Sequence, residues 1–472
     1  MKHRVKPTLL RKPASALDAV FALVDAREVT RKAQDFSSFE RALHERMMAL
    51  EREILGKELQ AMEVDESELL IDGVPHRRVL RAEQNYMTTA GEVRVERTLY
   101  RPRSDPNAPV VAALDRDVGM VDGFLTPEAA ALALYVVAEL VPKAAEGLFE
   151  RVGNMKPSKS TLDRLAKHVS STWETDREAF EEALRAATII PQGAMSVAVS
   201  LDGVMAPMID GERVEKREQT ADEGRLTRGG AGYREMGCAT LSFCDANGDM
   251  LSAIRFARSP EEHKATLKEM ITAELRAVRD VRPDLAVVKV ADGAEDNWTF
   301  LSGTITEGVE VVDFFHAAEH LSSALGAAYG DGSKDARRRF VELRHTLLEE
   351  DEGVEHVINS LGFLNRKHPR RKALTRAIAY FRKHRHRMAY AALKRRGLPI
   401  GSGLVEAACK TLVAQRLKRS GMRWSDEGAQ AILTPRGWIQ SGRYDEAWAL
   451  VASTWRATVT LIGQVLPLRR AG

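Results

Sequence analysis

The chain has little sulfur chemistry to offer. Three cysteines in 472 residues, Cys238, Cys244 and Cys409, cannot build a disulfide framework, and no C-x-x-C pair signals structural zinc. No uninterrupted apolar run approaches the ~18 residues that a membrane span needs, so no membrane partner is expected. The basic start, Met1-Lys2-His3-Arg4-Val5-Lys6, is followed by no apolar signal-peptide core. Together these absences set the expectation of a cytoplasmic protein. Aromatic residues are only 6%, yet apolar residues reach 44%, too many for a chain that is mainly disordered. At roughly 150 residues per domain the length predicts about three domains. Internal repeats, low-complexity tracts and a G-x-S-x-G nucleophile elbow are all missing.

Acid is nearly missing from one window. Residues 366–423 hold 18 Lys/Arg and a single acid, Glu406, so that window is +17 and the rest of the chain −14 under a formal net charge of +3. A solvated helical face is the bland reading. The run is dense, however, and interleaved with Tyr380, Phe381, Tyr390 and Trp424, a pattern expected of a chain that meets nucleic acid along one face. Arg382, Lys383, Arg385, Arg387, Lys410, Arg416, Lys418 and Arg419 are the cations expected to grip a DNA backbone.

Apolar side chains at Phe36, Phe39, Leu43, Met47, Leu50 and Ile54 recur in steps of three and four, which predicts one helix face over 34–60. Packing on its own domain is expected, with a dimerisation helix as the alternative. The alternation Val93, Val95 and the dipeptide Ala90-Gly91 predict a β-hairpin over 79–100, and Ser104-Asp105-Pro106-Asn107 breaks regular structure. From Thr126 the text turns helical, with Thr126 as N-cap, Pro127 at the first helical position and Glu128 favouring the dipole. A short helix is predicted after Val141-Pro142, and a third after the turn Gly153-Asn154, capped by Ser160 and Asp163. That rhythm is compatible with a helix-turn-helix whose last helix carries Lys159, Arg164 and Lys167, or with an ordinary three-helix unit.

After Pro191 strands appear, at 195–201, 238–243, 250–256, 285–291 and 309–315, with a helix over 260–279. This order predicts a mixed α/β sheet, followed by about 80 residues of basic helical text before Gly401-Ser402-Gly403. Two of the strands lead into the same dipeptide, Asp202-Gly203 and Asp292-Gly293. An Asp-Gly is most often a turn, as Asp72-Gly73 and Asp122-Gly123 are read here. If the two strands are neighbours, though, their carboxylates meet at one sheet end. Glu406 neutralises local charge or serves as a third carboxylate. Magnesium takes one or two carboxylates plus phosphate oxygens. Three carboxylates can hold two ions about 4 Å apart, one activating the attacking oxygen and the other the leaving one, with no Ser, Tyr or Cys nucleophile.

The text around these acids carries a resemblance. SLDGVM at Asp202, VADGAEDNW at Asp292, DFFHAAEHL from Asp313 and PIGSGLVEAACKTLVAQRLKRSGMRWS at Glu406 resemble the ISKra-type insertion-sequence transposases. These are DDE enzymes related to the Mutator-like transposases. The resemblance runs from about 126 to 448 and is most specific over 398–440. It implies an α/β ribonuclease-H-like catalytic core, a mixed five-stranded sheet with helices, over 191–320 and 400–455. An all-α basic insertion over 321–399 would interrupt that core. A mainly helical DNA-binding part would precede it, with a helix and hairpin over 1–125 and helix-turn-helix-like text over 126–190. The implied triad is Asp202, Asp292 and Glu406 on two Mg²⁺ ions, which Mn²⁺ can replace, with His316 of the Asp313–His316 pair near the scissile phosphate. The implied partners are double-stranded DNA, as element ends and target, and further copies of the chain. Trp298 is expected to pack in the core. Pro435 interrupts the last predicted helix, where an interior proline costs ~3 kcal/mol or more, so either a helix end or a decayed copy is expected there.

Overall fold

A computed structural model describes residues 14–29, 35–209, 232–368, 372–401 and 403–462; the basic start 1–6 and Ser402 lie outside them. The chain divides into two compact units, Met1–Thr175 with Asp445–Gly472, and Asp176–Tyr444. The expected segments 1–125 and most of 126–190 fall in the first unit. The expected sheet, the insertion and most of the last segment fall in the second. Among the described residues no helix is long and apolar enough to cross a membrane.

The first unit begins with α1 (Ala14–Val29) and α2 (Phe36–Met62), then β1 (Glu68–Ile71), β2 (Val74–Thr88), β3 (Gly91–Pro102) and β4 (Val111–Ala112). The expected hairpin forms, with Thr88 opposite Gly91. A last strand, Val459–Leu461, pairs antiparallel with β1 and completes a five-stranded sheet. The apolar stripe of α2 is less buried than its spacing predicts. Only Leu59 is fully buried, while Phe36 is 62% exposed and Met47 and Ile54 are exposed as well. α2 meets the hairpin through its C-terminal half, where Gln60 bonds both backbone groups of Glu96.

Three helices follow a short α3 (Ala113–Val118): α4 (Pro127–Glu139), α5 (Pro142–Val152) and α6 (Lys159–Thr175). They pack through Leu134, Val137, Phe149, Leu162, Leu165 and Val169. Two expected caps differ. The Thr126 hydroxyl bonds the carbonyl of Met87 and caps nothing, and α6 is capped by Ser158, whose Oγ accepts from the Thr161 N–H at 3.1 Å. Ser160 lies one residue inside the helix instead, because α6 starts at Lys159.

The second unit opens with α7 (Arg177–Ala186) and then builds β5 (Ser196–Pro207), β6 (Tyr233–Cys244) and β7 (Met250–Arg258) as an antiparallel meander. The helix α8 (Ala265–Val281) crosses over to β8 (Ala286–Ala291), and α9 (Glu295–Thr304) to β9 (Val309–Val312), both parallel to β5 in direction. The sheet order is β7-β6-β5-β8-β9. Valines on β5, β8 and β9 fill the core from both faces, as continuous apolar runs do in buried parallel strands. The last strand stops at Val312, short of the expected 315, because the buried Asp313 caps the next helix by accepting from the N–H groups of Phe315 and His316.

The expected basic insertion is helical: α10 (Phe314–Tyr329), α11 (Lys334–Glu349), α12 (Gly353–Lys367), α13 (Lys372–His384) and α14 (Tyr390–Arg395). It shares the sheet's core, and the Tyr390 hydroxyl donates to the carbonyl of Val312 at 2.9 Å. Then come α15 (Gly403–Ala408), a π-helical segment Cys409–Ala414, and α16 (Asp426–Gln440). No helix end occurs at Pro435, which is buried inside α16. That helix packs along β7, the sheet's edge strand. Gln430 and Ser441 bond the β7 side through Ser259 and Arg255, and Arg436 bonds the carbonyls of Leu412 and Thr411. These side-chain bonds fasten the helix on either side of the proline.

Candidate active site

Asp202 does not end its strand, as the sequence suggests, but sits within β5 opposite Cys238 of β6. Its position follows from register. The last paired residues of β5 and β8 are Ser200 and Val290, so Asp202 and Asp292 each stand two positions further along parallel neighbours. Parallel strands lie about 5 Å apart, which sets two carboxylates side by side. Burial first, and then the charge of Asp292, push the Asp202 carboxyl above its ordinary range, while Gly203, Cys409 and Lys264 pull the other way. Its Oδ1 accepts from the Gly203 N–H at 2.7 Å and its Oδ2 from the Cys409 thiol at 3.6 Å. Hydrogen bonding with Cys238 and burial hold that thiol far above the usual range, so it stays a donor.

Asp292 is held from three sides. Its Oδ1 accepts from the Ala294 N–H at 2.9 Å and from Asn297 Nδ2 at 3.2 Å, and its carbonyl from Trp298 Nε1 at 2.6 Å. The buried Asn297 also donates to the carbonyl of Leu201 at 3.3 Å, tying the two aspartate-bearing strands together. Trp298 packs in the core as expected and carries the Arg387 guanidinium over its ring at 4.0 Å. Neither glycine beside the aspartates is a turn glycine. A Cβ at Gly203 would overlap the Glu235 carboxylate, and one at Gly293 would lie 2.5 Å from Cε2 of Tyr380.

Glu406 is not gathered in with the pair. It is exposed on α15, one turn before Cys409, and thus on the helix face whose next turn touches Asp202. Among the described residues no three His, Cys, Asp or Glu side chains are grouped so as to hold a metal ion. Two carboxylates on adjacent strands are the oxygen donors that one hard divalent cation takes, leaving its other positions to water and phosphate. The residues therefore fit one such ion. A second ion requires Glu406 as a further ligand.

No family model matches this chain, and no curated protein matches it either.

The expected companion His316 starts α10 beside a ring cluster. Its ring lies 4.9 Å from that of His320, which stacks on Tyr380 at 3.9 Å, and Tyr380 in turn lies 5.0 Å from His384. Among the described residues the buried Tyr380 hydroxyl and His384 Nδ1 have no hydrogen-bond partner. Burial first, then the cations Arg387 and Lys383, press the His384 pKa down to about 4, so it is neutral at physiological pH.

The expected DNA-binding cations fall into two kinds. Arg382, Lys410, Lys418 and Arg419 are exposed, and Lys383 and Arg385 make surface pairs with Glu295 at 3.3 Å and Glu355 at 3.7 Å. Such pairs contribute about 0–1 kcal/mol and exchange readily for a phosphate. In the first unit Lys159 is exposed, while Lys167 pairs with Asp163 at 2.6 Å and Arg164 with Asp122. Arg416 and Arg387 do not fit the expectation. Arg416 is 1% exposed under the ring of Trp424, and Arg387 is committed to Trp298 and, at 2.7 Å, to Glu310. Glu310 also meets the buried Lys289 at 3.1 Å. Burial opposes the Glu310 charge, but bonds from Ser302, Arg387 and Lys289 prevail and hold its pKa to about 2.

Asn297, Cys409 and Tyr380 are the site residues that the sequence did not single out for chemistry. Asn297 stands five residues after Asp292 in the same quoted motif, and that spacing was the available signal.

Proposed function

We propose that this chain is a DNA transposase of a bacterial insertion sequence, working on the nucleoid and built on a ribonuclease-H-like core. The observation that carries the reading is the Asp202–Asp292 pair on adjacent parallel strands of a sheet ordered β7-β6-β5-β8-β9. Counting strands within that unit alone, the order is 3-2-1-4-5, with the first three antiparallel and the last two parallel to the first. This arrangement supports the core that the sequence resemblance implies.

In this reading Asp202 and Asp292 hold Mg²⁺, which would supply positive charge at the scissile phosphate and lower the pKa of the attacking water. Asn297 keeps the two carboxylates at fixed separation by bonding Leu201 and Asp292 together. The Cys409 thiol and the Gly203 N–H hold the Asp202 carboxylate in one orientation. Glu406, exposed one turn before Cys409, would be the further ligand that a second ion requires. The exposed cations of α13 and of the segment after α15 grip phosphates, and end reading falls to α6. Strand joining uses a 3′-hydroxyl in place of water. The position of Glu406 away from the pair favours one alternative, a DNA-binding derivative that no longer cuts.

Purified protein incubated with Mg²⁺ and duplex DNA from the flanks of its gene tests both. Nicking at the element boundary and joining of the freed 3′ end are expected. Binding without any nicking, in Mg²⁺ or Mn²⁺, would sink the transposase reading in favour of the derivative.

A further inference from the structure

We propose that Arg387 is a positioning residue for Asp292 and acts through Trp298, an inference that rests on the metal-site reading above. Asp292 needs such support because no regular element holds it. β8 ends at Ala291 and α9 begins at Glu295, so the aspartate stands in a three-residue connection. Its carbonyl accepts from the indole N–H of the buried Trp298 at 2.6 Å. A tilt of that indole therefore moves the Asp292 backbone, and with it the carboxylate.

Arg387 is placed to prevent the tilt. Its guanidinium carbon lies 4.0 Å from the centre of the Trp298 ring, whereas the other described contacts of this kind run from 4.9 to 6.0 Å. A cation holds a ring face more strongly where water is excluded, and the Arg387 side chain is only 14% exposed. The guanidinium is itself fixed, by Nε to Glu310 at 2.7 Å and by Nη2 to the Ser302 hydroxyl at 3.4 Å. Glu310 is the cross-strand partner of Lys289, whose buried ammonium lies 3.1 Å from its carboxylate. Lys289 alternates with Val290, and Val290 shares the face of Asp202 through its pairing with Ser200. The network thus lies behind the sheet as seen from Asp202, and its route to Asp292 is the Trp298 bond to the backbone. The insertion meets the same connection again at Gly293, against the Tyr380 ring. Stability alone is a poor reason for this arrangement, because apolar residues of similar volume often replace a buried ion pair without loss. Orientation is a better one. A carboxylate that ligates a metal depends on the groups that hold it in place.

Full-length Trp298→Phe and Arg387→Met test this. Phe keeps a ring and removes the N–H; Met keeps bulk over the ring and removes the guanidinium. Mn²⁺ binding to the DNA-free protein would be read from the electron paramagnetic resonance signal of the free ion, with circular dichroism checking the fold. The binding midpoint is expected to rise about 10-fold in each variant, the low end of what outer partners of a metal site contribute. The Mg²⁺ needed for half-maximal nicking of duplex DNA from the gene's flanks should rise by the same factor, and the maximal rate should change less. The double variant should shift the midpoint no further than the larger single one, because both side chains act along one chain of contacts. Arg387→Lys covers the case in which the Met variant does not fold: it keeps the charge beside Glu310, lacks the planar fork, and should share the raised midpoint. A parent midpoint in any of these folded variants overturns the inference, and so do single shifts that multiply in the double variant. Asp292→Ala, run alongside, separates the two readings. If it binds Mn²⁺ and nicks as the parent does, the metal-site reading fails and this inference with it. If it loses both while the Trp298 and Arg387 variants match the parent, this inference alone fails.

Discussion

The same dipeptide does two different jobs in the two units. In the first, Asp72-Gly73 joins β1 to β2 with φ of 49° and 77°, and Asp122-Gly123 has φ of 53° and 73°. Nothing lies within 4 Å of where a Cβ would stand on either glycine. These are turn glycines, chosen for backbone shape. In the second unit neither Gly203 nor Gly293 has positive φ, and both are crowded, one by Glu235 and the other by Tyr380. Those glycines are chosen for room. Asp-Gly in a sequence therefore signals either a tight turn or a carboxylate next to a spot where another side chain comes close. Only the fold separates the two.

The sharpest way to break this contrast is at the aspartates. Asp202→Ala or Asp292→Ala should reduce DNA nicking to background while leaving affinity for DNA intact, whereas Asp72→Ala and Asp122→Ala should nick like the parent. A folded Asp292→Ala protein that nicks normally removes the distinction altogether. At the glycines the effects are smaller and differ in kind. Gly293→Ala must displace the Tyr380 ring, which is stacked on His320, so a loss of about 1–3 kcal/mol by chemical denaturation is expected. Gly73→Ala meets no neighbour and should lose roughly 1–2 kcal/mol through its positive φ alone. Gly73→Asn should recover most of that, since Asn tolerates the left-handed region, and Gly293→Asn should recover none.

Acidity sharpens the comparison further. The raised Asp202 pKa means that its neutral form is favoured by folding, so its contribution to stability is present at low pH and is lost as pH rises through that raised value. Asp202→Asn should therefore melt higher than the parent at neutral pH without added metal. Glu310 has the opposite sign. With its pKa held to about 2 against an ordinary 4.5, it stabilises the fold above that ordinary value and loses the contribution as pH falls toward 2. Melting curves of Glu310→Gln should lack this part of the acid destabilisation, and an unchanged acid profile would remove the Lys289–Glu310–Arg387 network from the account. The smallest effect is at the surface. Arg382→Ala with Lys383→Ala should flatten the salt slope of DNA binding by up to about 0.9 per cation. Arg387→Ala should cost stability and leave the slope alone.

How much of this was legible follows from range. The hairpin, the helices from Pro127, the five strands and the helical insertion all announce themselves within a window of ten or twenty residues, through periodicity, proline and turn chemistry. Asp202 and Asp292 stood out because each closes an apolar run, and their adjacency needed only the guess that β5 and β8 are neighbours. What the sequence could not display depends on partners far along the chain. Arg416 and Lys418 look alike in the text, yet one lies buried under Trp424 and the other is exposed. Ser160 and Ser158 both precede a helical run, and only the start of α6 decides which of them caps it.

The pairing of the last strand with the first reaches beyond geometry, into the order in which the protein is made. Leu69, Leu70 and Ile71 bond to Leu461, Thr460 and Val459, so the sheet begun near residue 68 waits for almost the whole chain before its outer edge is covered. The second unit carries its aspartates on strands complete by residue 312, and it can finish first. Until residues 459–461 emerge from the ribosome, β1 presents an open edge, the kind of surface that recruits other strands. A message broken between codons 312 and 459 thus yields chains that already carry both aspartates but lack the strand that covers β1. Such fragments are the natural prey of quality-control proteases.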